Sequence, residues 1–151
     1  MEYEFTADWF SQNVPTWQQI INGRSLPPKK ILELGLLKGR ASSWIIGNIP
    51  DPNQGHLFCA DTWEGGFEHN VSEMGAVEAR FGRNTQVALR KCPSAEMTKI
   101  KGKSAEMMAR LIAGGHAGSF DFIYVDGSHL AADVLCDLTL AFLQGRRADR
   151  L

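Results

Sequence analysis

The chain has 151 residues, of which 44% are hydrophobic and 22% are charged, and its formal net charge is -1. These values are typical of one globular domain that is long enough to bury a core of its own. The balanced charge argues against a dedicated nucleic-acid surface, and it gives no reason to expect an anionic membrane as a partner.

The N-terminal sequence and the cysteines indicate in which cellular compartment the protein resides. The chain begins with the acidic sequence Met-Glu-Tyr-Glu-Phe, which does not resemble a signal peptide, and no apolar run approaches the length of a membrane span. Cys59, Cys92 and Cys136 are far apart and have no metal-like spacing, which predicts reduced, buried thiols. We therefore expect a cytoplasmic protein.

The first part of the chain predicts a helical segment and a linker. Apolar residues recur between positions 6 and 22 at roughly helical spacing, and Pro15 interrupts them, which predicts a broken or two-part helix. Pro27 and Pro28 then mark a loop. We expect residues 1–29 to pack as this segment on a domain formed by residues 30–144, with an irregular tail at 145–151.

Four short apolar runs alternate with four helical patterns along the rest of the chain. The runs predict strands at residues 30–34, 56–61, 97–101 and 120–125. The patterns predict helices at residues 40–49, 71–89, 105–113 and 131–143, and Ser104 is the predicted N-cap of the third. Turn clusters separate them at 50–55, 62–70 and 114–118. This order predicts an α/β fold with a mainly parallel sheet and helices on both faces.

Acids and glycines gather at the carboxyl ends of the predicted strands. Gly35 and Gly39 follow the first strand, Asp61 ends the second, and the fourth leads into Asp126. Such glycines allow a tight turn and let a ligand approach the backbone closely, although a purely structural turn fits them equally well. The acid Glu33 interrupts an apolar run, which predicts a hydrogen-bonding role for its side chain. Because ligands bind beyond the carboxyl ends of parallel strands, we expect a ligand site here.

Three motifs in this order identify a family resemblance. They are Glu-x-Gly-x-x-x-Gly at 33–39, Asp-Thr-Trp-Glu-Gly at 61–65 and Tyr-Val-Asp-Gly-Ser-His at 124–129. The G-x-G-x-x-G and G-x-x-x-x-G-K-[ST] nucleotide motifs are absent. The motifs present resemble the class I S-adenosylmethionine-dependent methyltransferases, most closely a bacterial small-molecule subgroup. The resemblance implies a Rossmann-like fold and transfer of a methyl group to a small molecule, such as the hydroxyl group of a sugar.

The resemblance also implies which residues border the cofactor. Gly35 and Gly39 would border the methionine part, with Glu33 nearby. Asp61, with Thr62 beside it, would accept hydrogen bonds from the ribose hydroxyls, which suits a carboxylate. A plain turn acid is the alternative for Asp61.

The adenine end of the implied site involves three further residues. Trp63 would cover the adenine or line the substrate mouth, and the alternative for it is a packing role. Lys103 and Ser104 belong to the stretch that would reach the adenine edge.

Two residues are the chemical candidates. In related catechol-type O-methyltransferases, the acid after the fourth strand binds a divalent cation and a basic residue three positions later removes the hydroxyl proton. Asp126 and His129 occupy these places, so the resemblance implies Asp126 as a tentative Mg²⁺ ligand and His129 as the base, since histidine titrates near neutral pH. Alternatively, Asp126 caps the next helix and His129 is an exposed residue at its start.

The chain departs from the resemblance after Gln144. The sequence there becomes polar and basic, without the last strands of the usual seven-stranded sheet and without the later acids of a metal site. We expect a shortened or frame-altered methyltransferase, or a domain completed by another chain, with an open sheet edge that a second copy or a complementing chain covers. A non-catalytic cofactor-binding module and a structural remnant of the fold are the alternatives.

Overall fold

The computed structural model describes residues 2–48, 55–65 and 71–146 of the chain. The helices are α1 (Val14–Asn22), α2 (Arg40–Asn48), α3 (Val71–Lys91), α4 (Ser104–Leu111) and α5 (Ala131–Gln144). The strands are β1 (Lys30–Leu34), β2 (His56–Asp61), β3 (Glu96–Lys101) and β4 (Phe122–Val125). The predicted turn at 50–54, the second half of the predicted loop at 66–70 and the tail at 147–151 lie outside the described residues.

The four strands form one parallel sheet in the order β3-β2-β1-β4. The central strands β1 and β2 are almost continuously buried, which explains why their interiors are apolar apart from Glu33. At one edge, β3 carries the exposed residues Lys99 and Lys101, and such charges discourage pairing with another chain. The predicted α/β fold with a parallel sheet and helices on both faces is confirmed.

The core is divided between the two faces of the sheet. Ile31 and Leu57 face a cluster that includes residues of α1, α2 and α3. Leu32 and Leu34 face a second cluster with residues of α4 and α5. Because successive side chains of a strand point to opposite faces, Glu33 is directed toward the first cluster.

The N-terminal segment differs from the predicted broken helix. Residues 2–10 are not helical; a 3-10 turn at Ser11–Asn13 leads into α1, and Pro15 lies in the first turn of that helix. Proline is well suited to this position, where its missing N–H would have no partner in the helix, so it starts α1 and does not interrupt it. Trp17 anchors the helix on the core, with its ring 4.9 Å from that of Phe10.

The third predicted helix has a different start from the one expected. Ser104 is the first residue of α4, and Lys103, in extended conformation, is its N-cap. The prediction of Ser104 as a cap was wrong, because its hydroxyl donates to Oδ1 of Asp137 at 2.6 Å across to α5. At its other end, α4 continues into a π-helical turn at Ile112–His116, beyond the predicted end at residue 113.

β4 lies at the outer edge of the sheet that the described residues form. Among the described residues, one isolated parallel bridge between Phe120 and Gly145 covers its start. Next to this edge, α5 exposes Leu135 and Phe142, at 68% and 70% of their surfaces. Among the described residues this edge is otherwise unpaired, as expected, and an apolar helix face accompanies it.

Two smaller observations complete the fold. Of the three free cysteines only Cys59 is buried, so the prediction of buried thiols was wrong for Cys92, which is partly buried, and for Cys136, which is exposed on α5. No helix within the described ranges has both the length and the hydropathy needed to cross a membrane.

Candidate functional site

The turn after β1 depends on a glycine because another strand end approaches it. Gly35 has φ 83°, and a Cβ atom added there would lie 2.0 Å from the backbone carbonyl oxygen of Asp126. The amide of Asp126 donates to the carbonyl of Leu34 at 2.8 Å, which fixes the two strand ends side by side. The absence of a side chain at Gly35 therefore lets β1 and β4 end close together.

Gly39 makes a similar contact at the start of α2. Its φ is 75°, and a Cβ atom there would lie 2.8 Å from the ring of Phe81. Both glycines thus make room for other parts of the protein, as the structural interpretation of this turn requires. Gly35 also lies in the wall of a cavity at the carboxyl ends of β1 and β4.

This cavity has a volume of about 420 Å³. Its wall combines apolar residues with two acids, Glu33 and Asp126, and two bases, Lys38 and Arg40. Clefts of this size that carry a few polar groups in an apolar wall are typical of small-molecule sites. It is the candidate functional site, and hereafter it is called the main cavity.

Glu33 is a buried acid in the wall of the main cavity, and its pKa is raised. Its side chain is fully buried; Oε2 accepts a weak hydrogen bond from Sγ of Cys59 at 3.9 Å, and Oε1 has no partner among the described residues. Burial raises the pKa of Glu33 to about 8 against an opposing effect of the nearby Ser42 hydroxyl, and the charges of Asp126 and Asp61 act in the same direction as burial. At neutral pH this carboxyl is therefore mostly protonated.

Asp126 is held by a residue that the sequence reasoning missed. The hydroxyl of Tyr124 donates to Oδ2 of Asp126 at 2.8 Å, and both residues line the main cavity. Burial, together with this hydrogen bond to a carboxylate, raises the pKa of Tyr124 above its usual range. The signal was present in the sequence, since residues two apart in a strand lie on the same face.

The carboxylate of Asp61 is occupied by backbone amides. Oδ2 accepts from the amides of Leu36 at 2.7 Å and Leu37 at 3.3 Å, and Oδ1 accepts from the amide of Trp63 at 2.7 Å. Thr62, beside it, accepts from the amide of Glu64 through Oγ1 at 3.1 Å. Asp61 therefore joins two loops, which agrees with the turn-acid interpretation and leaves its cofactor role a prediction.

Trp63 is a packing residue in this structure. Its side chain is buried, its ring centroid lies 5.2 Å from that of Phe81, and Nε1 donates to the carbonyl of Leu37 at 3.3 Å. Nζ of Lys99 lies 4.3 Å from the centre of the indole ring. This arrangement matches the alternative considered for Trp63; a role beside adenine stays a prediction.

The remaining predicted residues lie outside the main cavity. Lys103 and Ser104 are at the start of α4, and exposed His129 is in the loop before α5. His129 matches the alternative of an exposed residue near a helix start, whereas Asp126 does not cap α5, whose N-cap is Leu130. Within residues 2–48, 55–65 and 71–146 no cluster of three or more histidine, cysteine or acidic side chains could hold a metal ion.

The N-terminal segment forms one side of the main cavity, which the sequence analysis did not foresee. Phe5, Ala7, Trp9 and Phe10 all lie in its wall. Asp8 forms an ion pair with Arg40 at 3.1 Å, and Lys38 donates to the hydroxyl of Thr6. The aromatic residues of this segment were its only signal in the sequence.

Comparisons with known proteins identify a family for this chain and a solved structure with a similar fold. A family model described as "Methyltransferase domain" matches residues 32–144. A solved structure of a protein from Klebsiella pneumoniae, provisionally described as an O-methyltransferase, has a similar fold with a TM-score of 0.66 and 18% sequence identity. The similarity covers 93% of this chain and 54% of that chain, so this chain spans about half the length of that neighbour. Among curated proteins, none matches the chain.

Proposed function

We propose that this chain, which belongs to the methyltransferase domain family, binds S-adenosylmethionine in the main cavity and transfers its methyl group to a hydroxyl oxygen of a small molecule. The observation that carries the proposal is the buried carboxyl of Glu33 beside Gly35 and Asp126, at the carboxyl ends of β1 and β4. In parallel sheets this is the edge at which ligands bind.

The charges around the main cavity fit this cofactor. S-adenosylmethionine carries an ammonium group, a sulfonium centre and a carboxylate. Oε1 of Glu33 lacks a partner among the described residues and can accept a hydrogen bond from the ammonium group, and Asp126 is acidic, so this part of the wall suits a positively charged ligand. Lys38 and Arg40 lie in the same wall and could meet the carboxylate.

The other cofactor contacts are proposed from the resemblance. Asp61 has lone pairs left beyond its three backbone contacts, so it could still accept a ribose hydroxyl. Thr62 lies beside Asp61. Trp63, Lys103 and Ser104 would belong to the adenine end of the site.

The residues near Asp126 supply the proposed chemistry. When bound, S-adenosylmethionine provides an electrophilic methyl group on its sulfonium. Asp126, oriented by Tyr124, would accept a hydrogen bond from a second polar group of the acceptor and so hold the reacting hydroxyl oxygen in line for attack. His129 would receive the hydroxyl proton, provided that the acceptor extends from the main cavity to the loop before α5.

A divalent cation does not fit the described residues. Within the described part of the chain, Asp126 belongs to no group of three or more histidine, cysteine or acidic side chains that could hold a metal ion. We therefore derive no step through Mg²⁺.

Calorimetric titration with S-adenosylmethionine tests the binding part of the proposal. We expect micromolar binding, and we expect Glu33→Gln to weaken it by more than tenfold, about 1.4 kcal/mol. Glu96→Gln is the matched control, because Glu96 is exposed at the start of β3, at the opposite ends of the strands from the main cavity. Absence of binding to the folded wild-type protein would overturn the proposal.

A binding module without catalysis is the second candidate. The position of His129, outside the main cavity lining, favours it. Formation of S-adenosylhomocysteine in the presence of sugars or catechols distinguishes the two candidates. If the wild type turns over, Asp126→Asn and His129→Gln should each lower the rate; if the cofactor binds but no acceptor is methylated, the second candidate holds.

A further inference from the structure

We propose that Asp61 is a positioning residue that fastens the loop between β1 and α2 to the loop after β2 and thereby fixes one wall of the main cavity. The proposal rests on the proposed function only for its consequence in cofactor binding. The fastening itself is a property of the ligand-free protein.

The geometry makes Asp61 the point where the two loops meet. Its two carboxylate oxygens accept three backbone hydrogen bonds, at 2.7 Å from Leu36, 3.3 Å from Leu37 and 2.7 Å from Trp63. The indole of Trp63 adds a fourth link by donating to the carbonyl of Leu37 at 3.3 Å. Charge-assisted bonds to backbone amides are stronger than neutral ones, so this arrangement resists opening.

Each of the two loops contains a residue in a left-handed backbone conformation, which residues with side chains rarely adopt. Leu37 and Trp63 have φ values of 44° and 50°, and among the described residues they are the non-glycine residues with positive φ. Such backbone persists only where the surroundings enforce it. Here the enforcing group is Asp61, which accepts from the amide of each of the two residues.

The fastened loop forms part of the main cavity, whereas Asp61 does not. Leu36, Leu37 and Lys38 all lie in the cavity wall. Asp61 is not among the lining residues of the described chain, so it acts on a ligand in the main cavity through the loop. Loss of the carboxylate should therefore weaken binding of the whole cofactor, irrespective of its ribose hydroxyls.

Amide hydrogen exchange in the ligand-free protein tests the fastening. In Asp61→Asn we expect the Leu36 amide to exchange at least about tenfold faster. The Gly35 amide is bonded to the carbonyl of Ala60 at 3.0 Å and should keep its protection, which makes it an internal control. Glu64→Gln removes a nearby exposed acid without touching either loop contact and should change neither amide. Unchanged protection at Leu36 in a folded Asp61→Asn protein would overturn the proposal.

A second variant keeps the test decisive if Asp61→Asn does not fold. Trp63→Phe preserves the aromatic packing on Phe81 but removes the indole donor to Leu37. Because the three amide bonds to Asp61 remain in this variant, we expect the Leu36 amide to keep its protection. Loss of that protection in a folded Trp63→Phe protein would mean that the indole, and not Asp61, fastens the loops.

Paired ligands separate positioning from direct ribose contact. S-adenosylmethionine and its 2′-deoxyribose analogue are titrated into wild type and Asp61→Asn. Positioning predicts that the variant also loses affinity for the 2′-deoxyribose analogue, which offers Asp61 no 2′-hydroxyl. A loss confined to S-adenosylmethionine would mean direct contact alone and would overturn action through the loop, while failure of wild type to bind either ligand would refute the proposed function but leave the exchange result standing.

Discussion

The backbone carbonyl of Asp126 lies where a side chain on Gly35 would have to be. A Cβ atom at Gly35 would be 2.0 Å from that oxygen, and the φ of 83° is itself unfavourable for any residue with a side chain. The close contact brings the acid after β4 beside the turn after β1. It explains why Gly35 of the first motif and Asp126 of the third motif lie in the same site.

Substitution of Gly35 should therefore destabilise the whole fold. We expect Gly35→Ala to lower the free energy of unfolding by about 3 kcal/mol, since backbone strain and overpacking each cost roughly 1–3 kcal/mol. Gly75→Ala on α3 is the matched control, because a Cβ atom there meets open space. That control should stabilise the protein by about 0.5–1 kcal/mol. Urea denaturation measures both, and equal stability of Gly35→Ala and wild type would contradict the observed contact.

Glu33 should make stability fall as the pH rises. The unfolded chain releases this proton near pH 4.5, but in the folded protein the pKa is raised to about 8. Between these values the folded state binds more protons, so the free energy of unfolding decreases by roughly 1.4 kcal/mol per pH unit from this group. Glu33→Gln removes the contribution.

The difference between wild type and variant measures this effect, because the other titrating groups cancel. We expect wild type and Glu33→Gln to have similar stabilities near pH 5 and to diverge up to about pH 8, with the variant the more stable. Denaturation curves at several pH values give the comparison. Parallel stability profiles would show that Glu33 is not the buried acid described above.

The same carboxyl should release a proton when a positively charged ligand binds. At pH 7 Glu33 is mostly protonated, and a nearby ammonium or sulfonium charge would lower its pKa. Titration with S-adenosylmethionine in two buffers of different ionisation enthalpy should therefore show release of up to one proton. Glu33→Gln should reduce this release, whereas identical proton release in both proteins would assign it to another group.

The strand pattern was predictable because it depends on local composition. β1 and β2 are buried on both faces, so their interiors are apolar apart from Glu33, and the glycine after β1 marks the turn. Glu33 was recognisable as an acid within such a run. The sequence could not reveal that Oε1 lacks a partner, because this depends on side chains from other elements.

The loop contacts could not be predicted for the same reason. Asp61 is a plausible ribose ligand from its place after β2, yet its three amide donors come from two loops, one of them 25 residues earlier in the chain. Trp63 has an ordinary loop sequence around it, and only the fold brings Phe81 against its ring. The prediction that Pro15 interrupts a helix was wrong because the effect of proline depends on its position. Proline breaks a helix when it lies in the interior, but it is well tolerated in the first turn.

The N-terminal segment should be held to the domain by aromatic packing more than by its ion pairs. Phe10 is buried, with its ring 4.9 Å from Trp17 and 5.7 Å from Trp44, whereas the pair between Glu4 and Arg83 is about half exposed. Exposed pairs contribute little to stability and are screened by salt. We therefore expect Phe10→Ala to cost about 3–5 kcal/mol and to weaken ligand binding in the main cavity, which Phe10 lines.

Glu4→Gln provides the contrast on the same segment. Glu4→Gln should leave both the urea midpoint and the affinity for S-adenosylmethionine unchanged. Salt at 0.5 M should also leave both unchanged for wild type, because at a Debye length of only a few ångströms it screens the exposed ion pairs and little else. If Glu4→Gln or salt instead released the segment and weakened binding as much as Phe10→Ala does, charge pairs and not the aromatic cluster would hold this side of the main cavity.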